Sequence, residues 1–330
     1  MITLHTAALG EHVLPDLSAQ QLPKDVVWID LMKGDAAERA SIERATGIRV
    51  PTVERLVEIE SSSRLATENG ALYLSTPMIY RGSSNEPLST PLGFVLTRDL
   101  LLTVRFYELG AFPAFEERCA KTPGARYSSA GVFIGLIEVS VDRMADLLER
   151  LAAELDLVSH RIFRAEADNA LGKQRPARET ANLRQLLRRV GAGGDLVSKL
   201  RDSLLGVERM VPYVANGAAA WLGDAEKLRL TTLRADIASL NDHALFMTNK
   251  VQLLLDATLG LINIEQNNII KVLTIVSVVG VPPTLVASMY GMNFKDMPEL
   301  SWAWGYPYGL TLILISAVLP LLWFKWRGWL

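Results

Sequence analysis

Cysteine occurs once in the 330 residues, at Cys119, so the chain can form no internal disulfide and no thiolate metal cluster. A lone cysteine of this kind is ordinarily a small buried apolar side chain. No charge of one sign dominates either. Lys and Arg number 34 against 36 Asp and Glu, for a formal net charge of -2. That balance supplies no basic face for nucleic acid, which is not expected as a partner. The four histidines, His5, His12, His160 and His243, stand in no catalytic or metal-ligand spacing, which argues against an enzyme. The opening MITLHTAALGEHVLPDL lacks the basic start and apolar core of a signal peptide, so the first domain is expected in the cytoplasm. No phosphate loop is found. GAGGD at 191–195 lacks the strand that a dinucleotide site needs before it, and reads as a helix break.

Charge is missing altogether from two stretches, 272–294 and 300–324. A spanning helix needs roughly 20 apolar residues, because ~30 Å of hydrocarbon is crossed at ~1.5 Å per residue. Both stretches qualify. Lys271 precedes the first, and Lys325 and Arg327 follow the second. Positive charge favours the cytoplasmic side, which puts both termini inside and the short turn between the spans outside. Trp302, Trp304, Tyr306 and Tyr308 suit an interfacial belt where the second span begins.

The rest of the chain reads as mixed α/β followed by long helices. VVWIDL (26–31) is a strand run, and Asp35 with Glu38 forms a capping box that opens a helix through Ala45. A further helix follows Pro51. Asn69-Gly70 lies between two extended runs, a strong hairpin signal, and Arg98-Asp99 sits near the turn of a second hairpin. From Gly131 the apolar spacing becomes helical, with a turn near 171–176. After Asp224 no stop signal occurs before Pro282, some 58 positions, so one helix is expected to leave the first domain and become the first span.

That helix has an unusual edge. Asp256, Gly260, Asn263, Asn267, Ile270, Thr274, Ser277, Val281, Thr284 and Ser288 follow steps of three and four and share one stripe. Within 272–294 the stripe holds every hydroxyl residue except Tyr290. Small hydroxyl side chains also serve close helix packing. Two asparagines and a carboxylate fit that less well, because amides and acids near a bilayer need partners or water. The alternative is a wet lining. Two spans cannot enclose a path, so a lining requires several copies of the chain. Neutral oxygens suit a hydrated hard cation such as Mg2+, which dehydrates reluctantly. An Asn293 ring at the outer mouth would accept hydrogen bonds from its waters, Gly291 would allow a tight exit from the helix, and Pro282-Pro283 would bend the span. Two charges moved through ~100 mV gain ~4.6 kcal/mol, so inward flow needs no nucleotide.

YGMNF (290–294), followed by MPEL and a closing FKWRGWL, resembles the CorA family of magnesium and cobalt transport proteins. The similarity continues through LLLDATLGLINIEQNNIIKVLTIVSVVGVPPTLVAS and, weakly, through VWIDL, ERASIERATGI and ENGALYLS. A sister group that moves zinc shares Gly-Met-Asn, whereas MPEL looks like the magnesium branch. The resemblance implies a CorA-like funnel: an α/β cytoplasmic domain, long helices and two C-terminal transmembrane helices, assembled as a homopentamer. It divides the chain into an α/β domain at 1–130, long cytoplasmic helices at 131–223 and a stalk helix at 224–290 whose span starts near 272. An external loop at 291–305, a second span at 306–324 and a basic tail at 325–330 complete it. Its selectivity residues map to Gly291, Met292 and Asn293. Its pore-lining positions map to Thr284, Val281, Ser277, Leu273, Ile270, Asn267, Asn263 and Asp256, of which Leu273 lies beside the stripe. The family often has bulkier residues where Val281 and Ile270 stand, which bears on how tight the gate is. Asp236 is the candidate for a regulatory magnesium carboxylate between subunits.

The implied activity is passive uptake of Mg2+, with Co2+ or Ni2+ as further ions, through a bacterial-type inner or plasma membrane under feedback from cytoplasmic Mg2+. No cofactor is expected, and the partners are the ion, membrane lipid and further copies of the chain. Two alternatives stand beside it: a proton-coupled Zn2+ transporter, which the lack of histidine or acid inside the spans disfavours, and a membrane-anchored scaffold or sensor that conducts nothing.

Overall fold

The computed structural model describes residues 1–8, 11–14, 22–23, 25–58, 64–82, 86–122, 126–170, 176–292 and 297–329. The chain forms two compact units, Met1–Arg164 with Arg188–Leu255, and Ala165–Leu187 with Asp256–Leu330.

The first unit is built on a seven-stranded sheet. Its strands are β1 (Ile2–Thr6), β2 (Glu11–Leu14), β3 (Val26–Met32), β4 (Leu65–Glu68), β5 (Ala71–Arg81), β6 (Pro87–Leu96) and β7 (Leu101–Arg105). The order is β2-β1-β3-β7-β6-β5-β4, with β3 and β7 parallel and every other pair antiparallel. Asn69 and Gly70 both take positive φ, 51° and 78°, and close β4 onto β5 as their sequence anticipates. Thr97 closes the β6–β7 hairpin, its hydroxyl donating to the Leu100 carbonyl and accepting from the Leu100 amide.

Both faces of the sheet are covered, so its strands are nearly continuous apolar runs. Ile29, Leu31, Val95 and Leu102 face a core shared with Ile42 of α1 (Ala36–Thr46) and Leu56 of α2 (Val53–Val57). The capping box that opens α1 is present, with Glu38 N donating to Asp35 Oδ1 at 2.8 Å and Asp35 N to Glu38 Oε2 at 3.1 Å. Trp28, Leu74, Phe94 and Leu101 point to the opposite core, shared with α3 (Ala111–Ala120) and three long helices. These are α4 (Ser129–Ala170), α5 (Pro176–Gly217) and α6 (Asp224–Tyr290).

The sheet also buries a polar chain. Asp30 receives both Nε (2.9 Å) and Nη2 (2.8 Å) of Arg105 and the Thr103 hydroxyl at 2.6 Å, while Trp28 Nε1 donates to Thr103 Oγ1 at 3.0 Å. The parallel pairing of β3 with β7 sets Asp30 opposite Thr103 and Met32 opposite Arg105. The Arg105 guanidinium lies 4.4 Å from the Phe112 ring centroid, so its open face is covered too.

The helix break expected at 191–195 does not occur: α5 runs unbroken through its glycines. Their use is contact. A Cβ on Gly193 would stand 3.2 Å from Leu151 and 3.3 Å from Leu155 of α4, and one on Gly194 would stand 3.2 Å from Val251 of α6. Small residues let three helix backbones converge, and the neighbours' packing outweighs the roughly 1 kcal/mol helix penalty of each glycine. The turn expected near 171–176 falls largely outside the described residues.

In the second unit, α6 ends at Tyr290, a short 3-10 helix spans Pro298–Ser301, and α7 occupies Gly305–Trp326. Among the described residues two helices, α6 and α7, are long and apolar enough to cross a membrane.

Candidate functional site

α6 is a single helix of 67 residues, or ~100 Å at ~1.5 Å per residue. It continues through Pro282 and Pro283, which withhold the amides that would bond the carbonyls of Val278 and Val279. Those carbonyl oxygens belong to the same stretch as the hydroxyl stripe.

Coverage divides the span into faces. Lys271, Thr274, Ile275, Val279, Pro282, Pro283, Val286 and Tyr290 are half-covered by the rest of the chain. At 3.6 residues per turn all but Thr274 cluster on one side, and the stripe lies roughly 180° away. Thr284, Val281, Ser277, Leu273, Ile270, Asn267, Asn263 and Asp256 are all exposed. Thr274 is the stripe residue that is part-covered. Val278, Leu285 and Met289 flank the stripe on one side and Leu273 and Val276 on the other, all exposed and apolar. The exposed surface is thus a polar band between two greasy ones.

The hydroxyls on that band have a fixed orientation. Thr274 Oγ1 donates to the Ile270 carbonyl and Thr284 Oγ1 to the Gly280 carbonyl, each at 2.8 Å. Each proton is therefore bound inside the helix, and the lone pairs remain as acceptors. At these two threonines the surface accepts hydrogen bonds from water.

At the C-terminal end of α6, Gly291 N donates to Ala287 O at 3.0 Å and to Ser288 O at 3.2 Å, and Met292 N to Met289 O at 3.3 Å. Gly291 does not take a left-handed φ, and a Cβ there would meet Ala287 O at 3.4 Å and Ser288 O at 3.5 Å, ordinary contact. Within one chain the backbone at 291 is therefore open to residues other than glycine. Met292 is exposed, and Asn293 lies outside the described residues. Beyond it, Trp302 meets Tyr308 edge-on at 5.9 Å, and Trp304 and Tyr306 are exposed.

Asp236 lies elsewhere on α6, in the first unit. It lines a cleft of about 330 Å³ with Arg118, Glu138, Asp142 and Arg229. Glu138 is engaged, accepting two 2.8 Å bonds from Arg229 and lying 3.4 Å from Arg118. Asp142 is not. Burial pushes its carboxyl above the usual carboxylate range; Arg118 opposes the shift and Glu138, Asp146 and Asp236 add to it. Among the described residues no group of three or more His, Cys, Asp or Glu side chains could hold a metal ion.

Sequence reasoning missed the tail. Gly328 takes φ 72° and ends α7, with Trp329 N donating to Phe324 O at 2.9 Å. This Schellman closure stacks Trp329 on the buried Phe324, ring centroids 5.5 Å apart. A glycine followed by an aromatic just beyond a helix was the available signal.

Comparison with known proteins covers nearly the whole chain. The family model described as CorA-like Mg2+ transporter protein matches residues 23–326. The chain is 31% identical over 310 residues to the magnesium transport protein CorA of Salmonella typhimurium, covering 93% of this chain and 92% of that protein. The magnesium transport protein CorA of Escherichia coli K12 matches to the same extent, 31% over 310 residues. Among solved structures, the complete CorA magnesium transporter of Methanocaldococcus jannaschii superposes with a TM-score of 0.74 at 16% identity, covering 100% of this chain and 99% of that one.

Proposed function

Because the chain belongs to the CorA-like Mg2+ transporter family, we propose that it carries Mg2+ across a membrane along the stripe of α6, copies of which surround a water-filled axis. The observation that carries this reading is the orientation of the stripe. Its hydroxyl and amide residues lie on the exposed side of α6, away from the covered face, with the threonine protons bound to their own helix. A hydrated Mg2+ presents water protons outward, and a wall of acceptors suits them.

The finer assignments follow. The assembly is a homopentamer in an inner or plasma membrane with both termini cytoplasmic, and the ion moves passively down the membrane potential. Co2+ and Ni2+ carry similar hydration shells and share the path. Gly291, Met292 and Asn293 form the outer mouth. One chain's turn does not need glycine at 291, and its lack of a side chain then serves the space between copies. Asp236 and Asp142, whose carboxyl burial pushes above the usual carboxylate range, form part of a cytoplasmic Mg2+ sensor completed by a neighbouring copy, since one chain offers too few ligands among the described residues.

Purified protein in liposomes, with a Mg2+ indicator inside and an inward-negative potential, tests the proposal. Flux that rises with the potential and falls as internal Mg2+ is raised supports it. Replacing Asn293 with Ala is expected to abolish flux while the oligomer stays intact on a sizing column. Undiminished flux in that variant removes the outer-mouth assignment.

A further inference from the structure

A second cavity, of about 480 Å³, opens between the end of β5, the start of α3 and the middle of α4. Arg81, Arg143 and Arg150 are among the residues that line it. Neither Arg143 nor Arg150 has a carboxylate within the 4 Å of an ion pair among the described residues, although Glu108 and Asp146 line the same cavity. The Arg143 guanidinium is set tightly: a Cβ on Gly110 would lie 2.5 Å from its Nη1. It therefore stands against the start of α3, the positive end of a helix dipole, where a cation is disfavoured. The Gly110 and Ala111 amides donate to no other described residue. Arg143 and Arg150, which line one cavity with no ion pair among the described residues, repel each other, and an anion placed between them relieves that cost.

The wall of the cavity is different in kind. Met78, Leu109, Met144 and Leu147 form an apolar surface, and Tyr80, stacked on Tyr107 at 4.1 Å, adds a flat one. Planar guanidinium groups bind phosphate through paired hydrogen bonds, and they also stack on flat rings. The volume lies within the range of small-ligand pockets. We infer that this cavity binds a nucleoside di- or triphosphate, its phosphates among Arg81, Arg143 and Arg150 and its base against the apolar wall. Glu108 and Asp146 line the same cavity and would hold a Mg2+ brought in with the phosphates. The cavity is separate from the α6 stripe, and this inference stands whether or not the chain transports Mg2+.

Titration calorimetry on the full-length protein in detergent micelles tests it, with ADP as the probe, with and without Mg2+. Saturable binding with a dissociation constant below about 1 mM is expected, and Arg143→Ala combined with Arg150→Ala weakens it by about tenfold or more. Both arginines are exposed, and an unchanged thermal midpoint without ligand confirms that the variant is folded. Pyrophosphate binding as tightly as ADP would restrict the site to phosphate and overturn the nucleotide assignment. No saturation by ADP at concentrations up to about 10 mM, or binding indifferent to the two substitutions, overturns the site itself.

Discussion

Lys271 Nζ lies 5.8 Å from the centroid of the Trp329 ring, joining the residue before the first span to the last turn after the second. The ring reaches that position because Gly328 reverses the chain and Trp329 stacks on Phe324, the one residue of α7 that is fully buried. One aromatic side chain thereby ties the start of the first span to the end of the second.

Loosening that tie has a measurable cost. Gly328→Ala forces a Cβ into left-handed backbone, a penalty of about 1–2 kcal/mol, and Trp329→Ala removes the ring. Both are expected to lower the thermal midpoint of the detergent-solubilised protein. Trp326→Ala serves as control, since Trp326 is 84% exposed. Equal midpoints for all three variants would mean that the tail contributes nothing.

The ion pair inside the sheet makes a larger difference. Arg105→Ala leaves the Asp30 carboxylate buried without its partner, and breaking a buried pair this way costs about 3–5 kcal/mol. Urea unfolding followed by far-UV circular dichroism is expected to show that loss. Replacing Asp30 and Arg105 together by apolar residues should recover much of it. A single variant as stable as the parent contradicts the assigned role.

Asp142 makes stability depend on pH. Its folded carboxyl holds a proton more tightly than the unfolded one, so stability falls as pH rises from the unfolded value of about 3.9 through the raised folded value. Above both values the ionised carboxylate is a liability. Asp142→Asn is therefore expected to be more stable than the parent at neutral pH, with the gap closing below about pH 4. A gap that is constant with pH would show that Asp142 is not the titrating group.

Much of this architecture could be read from residues. The length of α6 follows from the absence of a stop signal after Asp224, and the β4–β5 turn from Asn69-Gly70, because both are local backbone preferences. The misses share a cause. Gly193 and Gly194 resemble a break until α4 and α6 are seen to press against them. Asp30 and Arg105 are 75 positions apart and meet only through the parallel pairing of β3 with β7. Contacts made between distant elements leave no local pattern. The stripe itself was legible, since helical spacing alone gathers its residues on one edge.

Single hydroxyls on that edge should matter in proportion. Thr284→Val keeps the shape of the side chain and removes its acceptor. A lost hydrogen bond worth about 1 kcal/mol corresponds to roughly a fivefold fall in flux. Leu285→Val, on the neighbouring apolar band, should leave flux within about twofold of the parent. Equal effects at the two positions would deny the stripe any special part.

Cysteine scanning of α6 reaches the central claim most directly. In a background where Cys119 is replaced by Ala, single cysteines are placed at 275, 277, 279, 281, 284 and 286, and Mg2+ flux into liposomes is followed before and after a charged, water-borne thiol reagent. Flux is expected to fall on modification at 277, 281 and 284 and to stay unchanged at 275, 279 and 286. Block at the second set with the first untouched would place the aqueous path on the wrong side of the helix and contradict the account.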